Sequence, residues 1–282
     1  MPRGSLKSLL VSVDRSSDST PAMELAMAWA KRYEAEVVGV GFLDEYGIEV
    51  AQEYLHREGL LASVNPPLLD RIRNDYRRVL GDYAARCAEA GVSCTIPAEV
   101  AMSMEQVLFE AQRHDLLVID GLKVLIPGFQ GPWSQDLGRI LKNSPRPVVL
   151  VPEGCRVADR SEIVIAYDGS LQSARALYLS TSSMLDPEAK VHVVSVAVDR
   201  DVAARAADQA LAFLRLHQVD AVPHPVESDR PPADVILEQA ERLHAGLIVM
   251  GAYGEPVLRE FFLGSVSKTI LEKSRIPVLL AH

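Results

Sequence analysis
Short apolar runs recur along the chain, each followed by a polar turn and then by a stretch with helical spacing. Residues 9–13 and 163–167 open the two halves in this way. Each run leads into a segment rich in Ala, Leu and Met, at 21–33 and 173–184, and then into a second apolar run at 36–42 and 190–198. Later runs at 115–121 and 245–251 are followed by closing runs at 146–150 and 276–280. Runs this short, bounded by Gly, Pro and Asp, read as buried strands. Their alternation with helical segments predicts a parallel α/β sheet with helices on both faces. Right-handed crossovers narrow the topology to a doubly wound layer, in which ligands sit beyond the carboxyl ends of the strands. The third strand of each half, near 92–96 and 221–227, carries the weakest pattern because polar residues interrupt it.

A shift of 130 residues lays Gly121 on Gly251 and superposes the closing runs. Such self-similarity marks a tandem duplication. It predicts two domains, 1–152 and 160–282, joined by a short linker of Pro, Gly and charged residues that keeps them packed together. The first half carries additional chain between its second and third strands. Residues 44–67 include Tyr46, Tyr54 and His56, and a long helix is expected over 68–90. On that helix Leu69, Ile72, Tyr76, Val79, Tyr83 and Cys87 share one face by threes and fours. Arg71, Arg73, Asp75, Arg77 and Arg78 fall between them and read as its solvated side.

The stretch with the most chemistry is Met250-Gly-Ala-Tyr-Gly254, followed ten residues later by Gly264-Ser265-Val266-Ser267. The order is strand, glycine loop, helix start, with the helix expected over 266–273. Glycines at 251 and 254 let backbone N–H groups approach an anion with no Cβ in the way. Gly264 and Ser265 open a helix whose free N–H groups and positive dipole end favour phosphate. The hydroxyls of Ser265 and Ser267 are further donors. The competing reading is a plain strand-to-helix turn that needs positive φ. Asp168 follows the first strand of the second half, at the same carboxyl end, and reads either as a ligand acceptor or as a turn or helix-cap acid.

With Gly251-x2-Gly254-x9-Gly264-Ser265, the chain resembles the ATP-binding branch of the universal stress protein family. The resemblance covers nearly the whole chain, the insertion after Asp44 being the main departure. It implies two tandem doubly wound parallel five-stranded sheets, Rossmann-like, packed about a pseudo-two-fold axis. It also implies that strands 146–151 and 276–281 pair within one chain. Carried over by position, the adenine contacts are Ala166, Tyr167, Asp168 and Val196. The ribose and phosphate contacts are Met250, Gly251, Gly254, Gly264, Ser265 and Val266, with Ser267 added. Asp168 would accept hydrogen bonds from the nucleotide rather than act as a base. Tyr167 stands where the family often has a smaller residue, so its ring either stacks on the base or obstructs it. Under the 130-residue shift Gly254 falls on Val124, Gly264 on Ser134 and Ser265 on Gln135. One competent site is therefore expected, in the second half. The first half is expected to be a degenerate copy with a structural or regulatory role, although Asp14 and Gly121 remain there.

Composition changes this picture little. Hydrophobic residues make up 48% and charged residues 24% of the 282 positions, ordinary values for a globular protein. A net charge of −9 with no basic run argues against nucleic-acid binding. No segment reaches the roughly 20 apolar residues of a bilayer span, and no signal-peptide core precedes the first strand, so a cytoplasmic protein is expected. Cys87, Cys94 and Cys155 show no metal or redox spacing and read as reduced thiols. His114 and His244 precede the fourth strand of each half, and no His or Cys cluster predicts a transition metal. Mg²⁺ is expected only with the nucleotide, whose phosphates supply its ligands.

The function expected is a stress-response protein that binds ATP and signals through occupancy to a protein partner still to be identified, with a homodimer left open. The alternatives are a slow ATPase or self-phosphorylating enzyme, and a scaffold that binds no nucleotide. Against an enzyme, the chain has no Gly-x4-Gly-Lys-Ser/Thr and neither His-Arg-Asp nor Asp-Phe-Gly. Lys268 and Arg259 are the cations nearest the phosphate-directed motif in sequence.

Overall fold
A computed structural model describes residues 6–13, 20–42, 66–120, 135–152, 154–155, 162–183, 189–252 and 264–281. They fall into two units, Lys7–Pro145, and Arg146–His282 with Met1–Leu6. Asp14, Gly121, the insertion up to residue 65, the loop at 127–133 and Arg259 lie outside the described residues.

In the N-terminal unit, β1 (Ser8–Val13) and β2 (Glu36–Phe42) run parallel, with Ser8 opposite Glu36 and Val13 opposite Gly41. β3 (Cys94–Thr95) extends the sheet beyond β2, and β5 (Leu116–Asp120) lies on the other side of β1, giving the order β3-β2-β1-β5. The short β4 (Ala101–Met102) also pairs with β2. Helix α1 (Pro21–Tyr33) starts where Thr20 Oγ1 accepts from the Met23 N–H and ends at Glu34 in the left-handed region. α2 (Pro66–Glu89) buries Ile72, Tyr76, Val79, Leu80, Tyr83 and Cys87, the face its spacing predicts; the side chain of Leu69 lies outside the described residues. The expected solvated side holds for Arg71, Asp75, Arg77 and Arg78, while Arg73 is half-buried near Glu99. A Cβ on Gly41 would stand 2.4 Å from the Tyr76 ring. Glycine there lets the helix lie flat on β2, and the Tyr76 hydroxyl donates to the Phe42 carbonyl at 2.7 Å. α3 (Met104–Ala111) begins with a capping box between Ser103 and Gln106, and α4 (Gln135–Asn143) completes the unit's described helices.

The C-terminal unit contains β6 (Val148–Val151), β7 (Glu162–Ala166), α5 (Leu171–Ser183), β8 (Lys190–Ala197), α6 (Arg200–Leu216) and β9 (Ala221–Glu227). α7 (Pro232–Arg242), β10 (Leu247–Gly251), α8 (Ser265–Lys273) and β11 (Val278–Ala281) follow. The strand order is β6-β11-β10-β7-β8-β9. Five strands are parallel, as the alternating pattern predicts. β6 runs antiparallel to β11, with Leu150 opposite Val278 and Val148 opposite Leu280, the pairing that the resemblance implies. Strand order reverses between β7 and β10. Successive strands leave β7 in opposite directions there, so the connecting chain parts and opens a crevice at the carboxyl ends. The edge strand β9 carries Pro223 and Pro225 at alternate positions. Alternate residues of a parallel strand direct their backbone groups to the same side, so these prolines leave the outer edge short of donors. Among the described residues no helix is long and apolar enough to cross a membrane.

Candidate functional site
The carboxyl end of β7 runs into a turn fixed by its own side chains. The Tyr167 N–H donates to the Val194 carbonyl at 3.0 Å, and Ser195 Oγ donates to the Tyr167 carbonyl at 2.6 Å. Tyr167 is thereby held against β8 and is only 4% exposed. Its ring is part of the packing. Asp168 is exposed and accepts from the Ser170 N–H at 2.9 Å across Gly169, whose φ of +83° suits glycine. Ser170 Oγ in turn accepts from the Ser173 N–H at 3.2 Å and caps α5. Partial desolvation pushes the Asp168 carboxyl up, but hydrogen bonds from Ser170 and Ser173 outweigh it and hold the group below its usual range. Asp168 is thus an anion at neutral pH, tied into a turn on one side and open on the other. Of the two sequence-based readings of this acid, the turn acid is the one these bonds describe.

Two residues of the glycine motif are in place for reasons other than those expected. A Cβ on Gly251 would stand 2.5 Å from the carbonyl carbon of Gln172 and 2.7 Å from the Ser173 nitrogen. The missing side chain admits the first turn of α5, so what approaches Gly251 is this chain's own backbone. Ser267 is 3% exposed, and its hydroxyl donates to the Gly251 carbonyl at 3.4 Å. It draws the start of α8 over the end of β10 instead of facing outward as a donor. Met250 and Ala252 are buried beside it, with the Ala252 N–H donating to the Ala281 carbonyl at 2.7 Å.

The N-terminus of α8, like that of α7, has no side-chain cap. Its N-cap is Gly264, with φ −55° and ψ 147°, no side-chain capping bond and no acid in the first turn. Positive φ is therefore not what glycine supplies at 264. Ser265 is exposed and Val266 half-buried. α1, α3 and α6 have their first N–H groups met by Thr20, Ser103 and Asp199. At α8 the N-cap makes no such bond, and among the described residues no side chain is recorded against the first N–H groups and the positive dipole end. Gly254 lies outside the described residues. The structure brings 166–168, 250–252 and 264–267 to one end of the C-terminal sheet, linked through Gly251, α5 and Ser267.

Val196 is half-buried at the end of β8, opposite Val226. Beyond it a cavity of about 640 Å³ opens at the same carboxyl end, lined by Val198, Arg200, Pro225, Val226, Glu227, Ser228 and Asp229. None of the residues singled out in the sequence lines it. Val198, 76% exposed, stands two residues beyond Val196 on the same face of the chain. That alternation was the available signal.

A second titratable cluster lies on β7, β8 and β9, away from those ends. Buried His192 bonds Glu162 through Nε2 and reaches His224 at 2.9 Å through Nδ1. The hydrogen bond from His192, assisted by Lys190, holds the Glu162 carboxyl below its usual range. Burial, then the nearby charges of His192, Arg242 and Lys190, lower the His224 pKa. In the N-terminal unit, His114 bonds Ser8 Oγ through Nδ1 and lies 3.3 Å from Glu110 through Nε2, at the amino ends of β1 and β5.

Residues 160–282 match the model of the Universal stress protein family. Universal stress protein Slr1230 of Synechocystis is 28% identical over 157 residues, 53% of this chain and 52% of that protein. Stress response protein NhaX of Bacillus subtilis is 38% identical over 72 residues, 26% of this chain and 42% of that one. The chain thus spans about half the length of the curated relatives it matches. A universal stress protein from Archaeoglobus fulgidus DSM 4304 has a similar fold, with a TM-score of 0.69 at 16% identity over 99% of this chain and 96% of that one. A functionally unknown protein from Pseudomonas aeruginosa PAO1 follows at 0.61 and 16%, over 98% and 92%.

Proposed function
We propose that residues 160–282, which match the model of the Universal stress protein family, bind ATP and regulate a protein partner in the cytoplasm by their occupancy. The observation that carries the proposal is the α8 N-terminus, which starts at Gly264 without a side-chain cap beside the Asp168 turn. The first N–H groups of α8, uncapped among the described residues, and the exposed Ser265 hydroxyl suit the phosphates. Asp168, anionic and exposed on one side, suits a ribose hydroxyl, because a carboxylate accepts from it and would repel a phosphate. The half-buried Val196 suits one face of the flat base. Met250 and Gly251 form the floor, Ala166 and Tyr167 hold the turn that carries Asp168, and Ser267 positions α8.

When bound with Mg²⁺, the nucleotide would bring its own ligands for the metal, so the chain's part is to hold phosphate and sugar. The resemblance between the halves supports one such site per chain, since the first half has Val124, Ser134 and Gln135 where the second has Gly254, Gly264 and Ser265. The test is direct: protein purified without added nucleotide is denatured by heat and the supernatant analysed by ion-exchange chromatography. Adenine nucleotide released in proportion to protein supports the proposal. A supernatant free of nucleotide, from protein that also fails to bind added ATP, overturns it in favour of a scaffold.

A further inference from the structure
The hydroxyl of Ser195 is used inside the protein. Ser195 lies on β8 and is 1% exposed, and its Oγ donates to the Tyr167 carbonyl at 2.6 Å. A hydroxyl buried this deeply carries a desolvation cost that only its hydrogen bond offsets. The bond falls where β7 leaves the sheet. The Tyr167 N–H still donates to the Val194 carbonyl at 3.0 Å, and the next residue, Asp168, is outside the strand and exposed. A peptide unit is planar, so the Tyr167 carbonyl and the Asp168 N–H turn together. Holding that carbonyl on Ser195 therefore sets the direction in which the chain enters Asp168. Gly169 follows at φ +83°, a residue that tolerates other arrangements of the same turn. The Ser195 bond selects the one in which the Asp168 carboxylate accepts from the Ser170 N–H at 2.9 Å and stays exposed.

The N-terminal unit supplies a comparison within the chain. Ser8 stands opposite Glu36 there, as Glu162 stands opposite Lys190 in the C-terminal unit. Ahead of the insertion, one shift of 154 residues thus carries Ser8 to Glu162 and Glu36 to Lys190. The same shift lays Asp14 on Asp168 but Gly41 on Ser195. The first copy keeps the acid and has no hydroxyl to set it. The place of a side chain at 41 is filled by the Tyr76 ring.

We propose that Ser195 is the positioning residue through which the site selects ribonucleotides over deoxyribonucleotides, by aiming Asp168 at a ribose hydroxyl. Ser195 thus adds to the nucleotide site proposed above, on which its role rests, the residue that fixes the sugar contact. A ribose hydroxyl donates to a carboxylate over a limited range of directions, and the bond weakens steeply when the acceptor turns away. A deoxy sugar leaves the carboxylate without that donor. With Ser195 in place the ribonucleotide is favoured about 10-fold, the usual difference for a hydrogen bond to a charged group. Contacts to base and phosphate are common to ribo- and deoxyribonucleotides and cancel in the ratio of their affinities.

The test is calorimetric titration of the full chain with ATP, 2′-deoxy-ATP and 3′-deoxy-ATP. The native chain is expected to bind ATP about 10-fold more tightly than at least one of the deoxy analogues. Ser195→Ala is expected to weaken ATP and leave that analogue unchanged, so that the ratio falls to near one. Asp168→Ala is expected to give the same ratio, and adding Ser195→Ala to it is expected to change the ratio no further. A serine that served stability alone would weaken ATP and the analogues alike and keep the ratio, and that result overturns the proposal. Equal binding of ATP and both analogues by the native chain overturns it too, while leaving the nucleotide site in place. No ATP binding at all overturns it together with the reading it rests on. Should Ser195→Ala not fold, Ser195→Cys, close in volume but a weak donor, must lower the ratio, and an unchanged ratio decides against Ser195.

Discussion
At Gly251 the structure gives glycine a reason that the sequence did not show. Spacing identified the glycine, and a phosphate was expected to need its missing Cβ. The nearest atoms are instead Gln172 and Ser173 backbone, which no local pattern could announce because α5 lies some 80 residues earlier in the chain. Gly251→Ala must displace helix backbone and is expected to cost about 1–3 kcal/mol in chemical denaturation. An unchanged midpoint would contradict the packing described. Tyr167 and Ser267 were likewise chosen by position, and only the packing shows that one ring is buried and one hydroxyl is turned inward. His192 and His224 were passed over because their partners sit on three different strands. Their cluster makes a pH prediction. A histidine whose folded pKa is depressed leaves the unfolded chain to take up the proton first, so stability falls as pH drops below the ordinary value of about 6.5. Glu162, also depressed, adds stability above its ordinary value of about 4.3 that is lost as pH falls further. Facing His224 are His192, Glu162 behind it, Lys190 and Arg242. The melting temperature is expected to fall from pH 7 to pH 5, and His224→Gln is expected to flatten that slope. An equal slope in the variant would assign the effect elsewhere.

Elements with a bulky periodic face were the most legible. α1 and β2 occupy their expected ranges, and the long helix carries its buried stripe on Ile72, Tyr76, Val79, Tyr83 and Cys87. α6 had no sequence-based bounds, because its buried face is built largely of Ala203, Ala207 and Ala210, which contrast weakly with the Ala-rich remainder. β3 and β4, two residues each, are held by β2 and have too little pattern of their own. α8 makes the sharpest prediction at this scale. Aspartate is a better N-cap than glycine by a few tenths of a kcal/mol, and its charge complements the helix dipole. Gly264→Asp is therefore expected to leave the melting temperature unchanged or slightly higher. The same carboxylate would stand where the proposal puts a phosphate, so ATP affinity is expected to fall at least ~10-fold, or about 1.4 kcal/mol. Loss of stability, or retained affinity, would show that α8 receives no phosphate.

Over the whole molecule, the repeat in the apolar pattern reappears as wiring. The N-terminal unit has the order β3-β2-β1-β5, and the C-terminal unit repeats it as β9-β8-β7-β10. The unequal glycine motifs then set the central claim, that the second copy alone keeps a nucleotide site. Calorimetric titration of the full chain with ATP tests this most directly, carried out alongside Gly264→Val and Gly121→Val. The account predicts one ATP per chain, abolished by Gly264→Val in a protein that still unfolds cooperatively at a slightly lower temperature, Val being a poorer N-cap than Gly, and unchanged by Gly121→Val. Two ATP per chain, or equal loss from both substitutions, would contradict it.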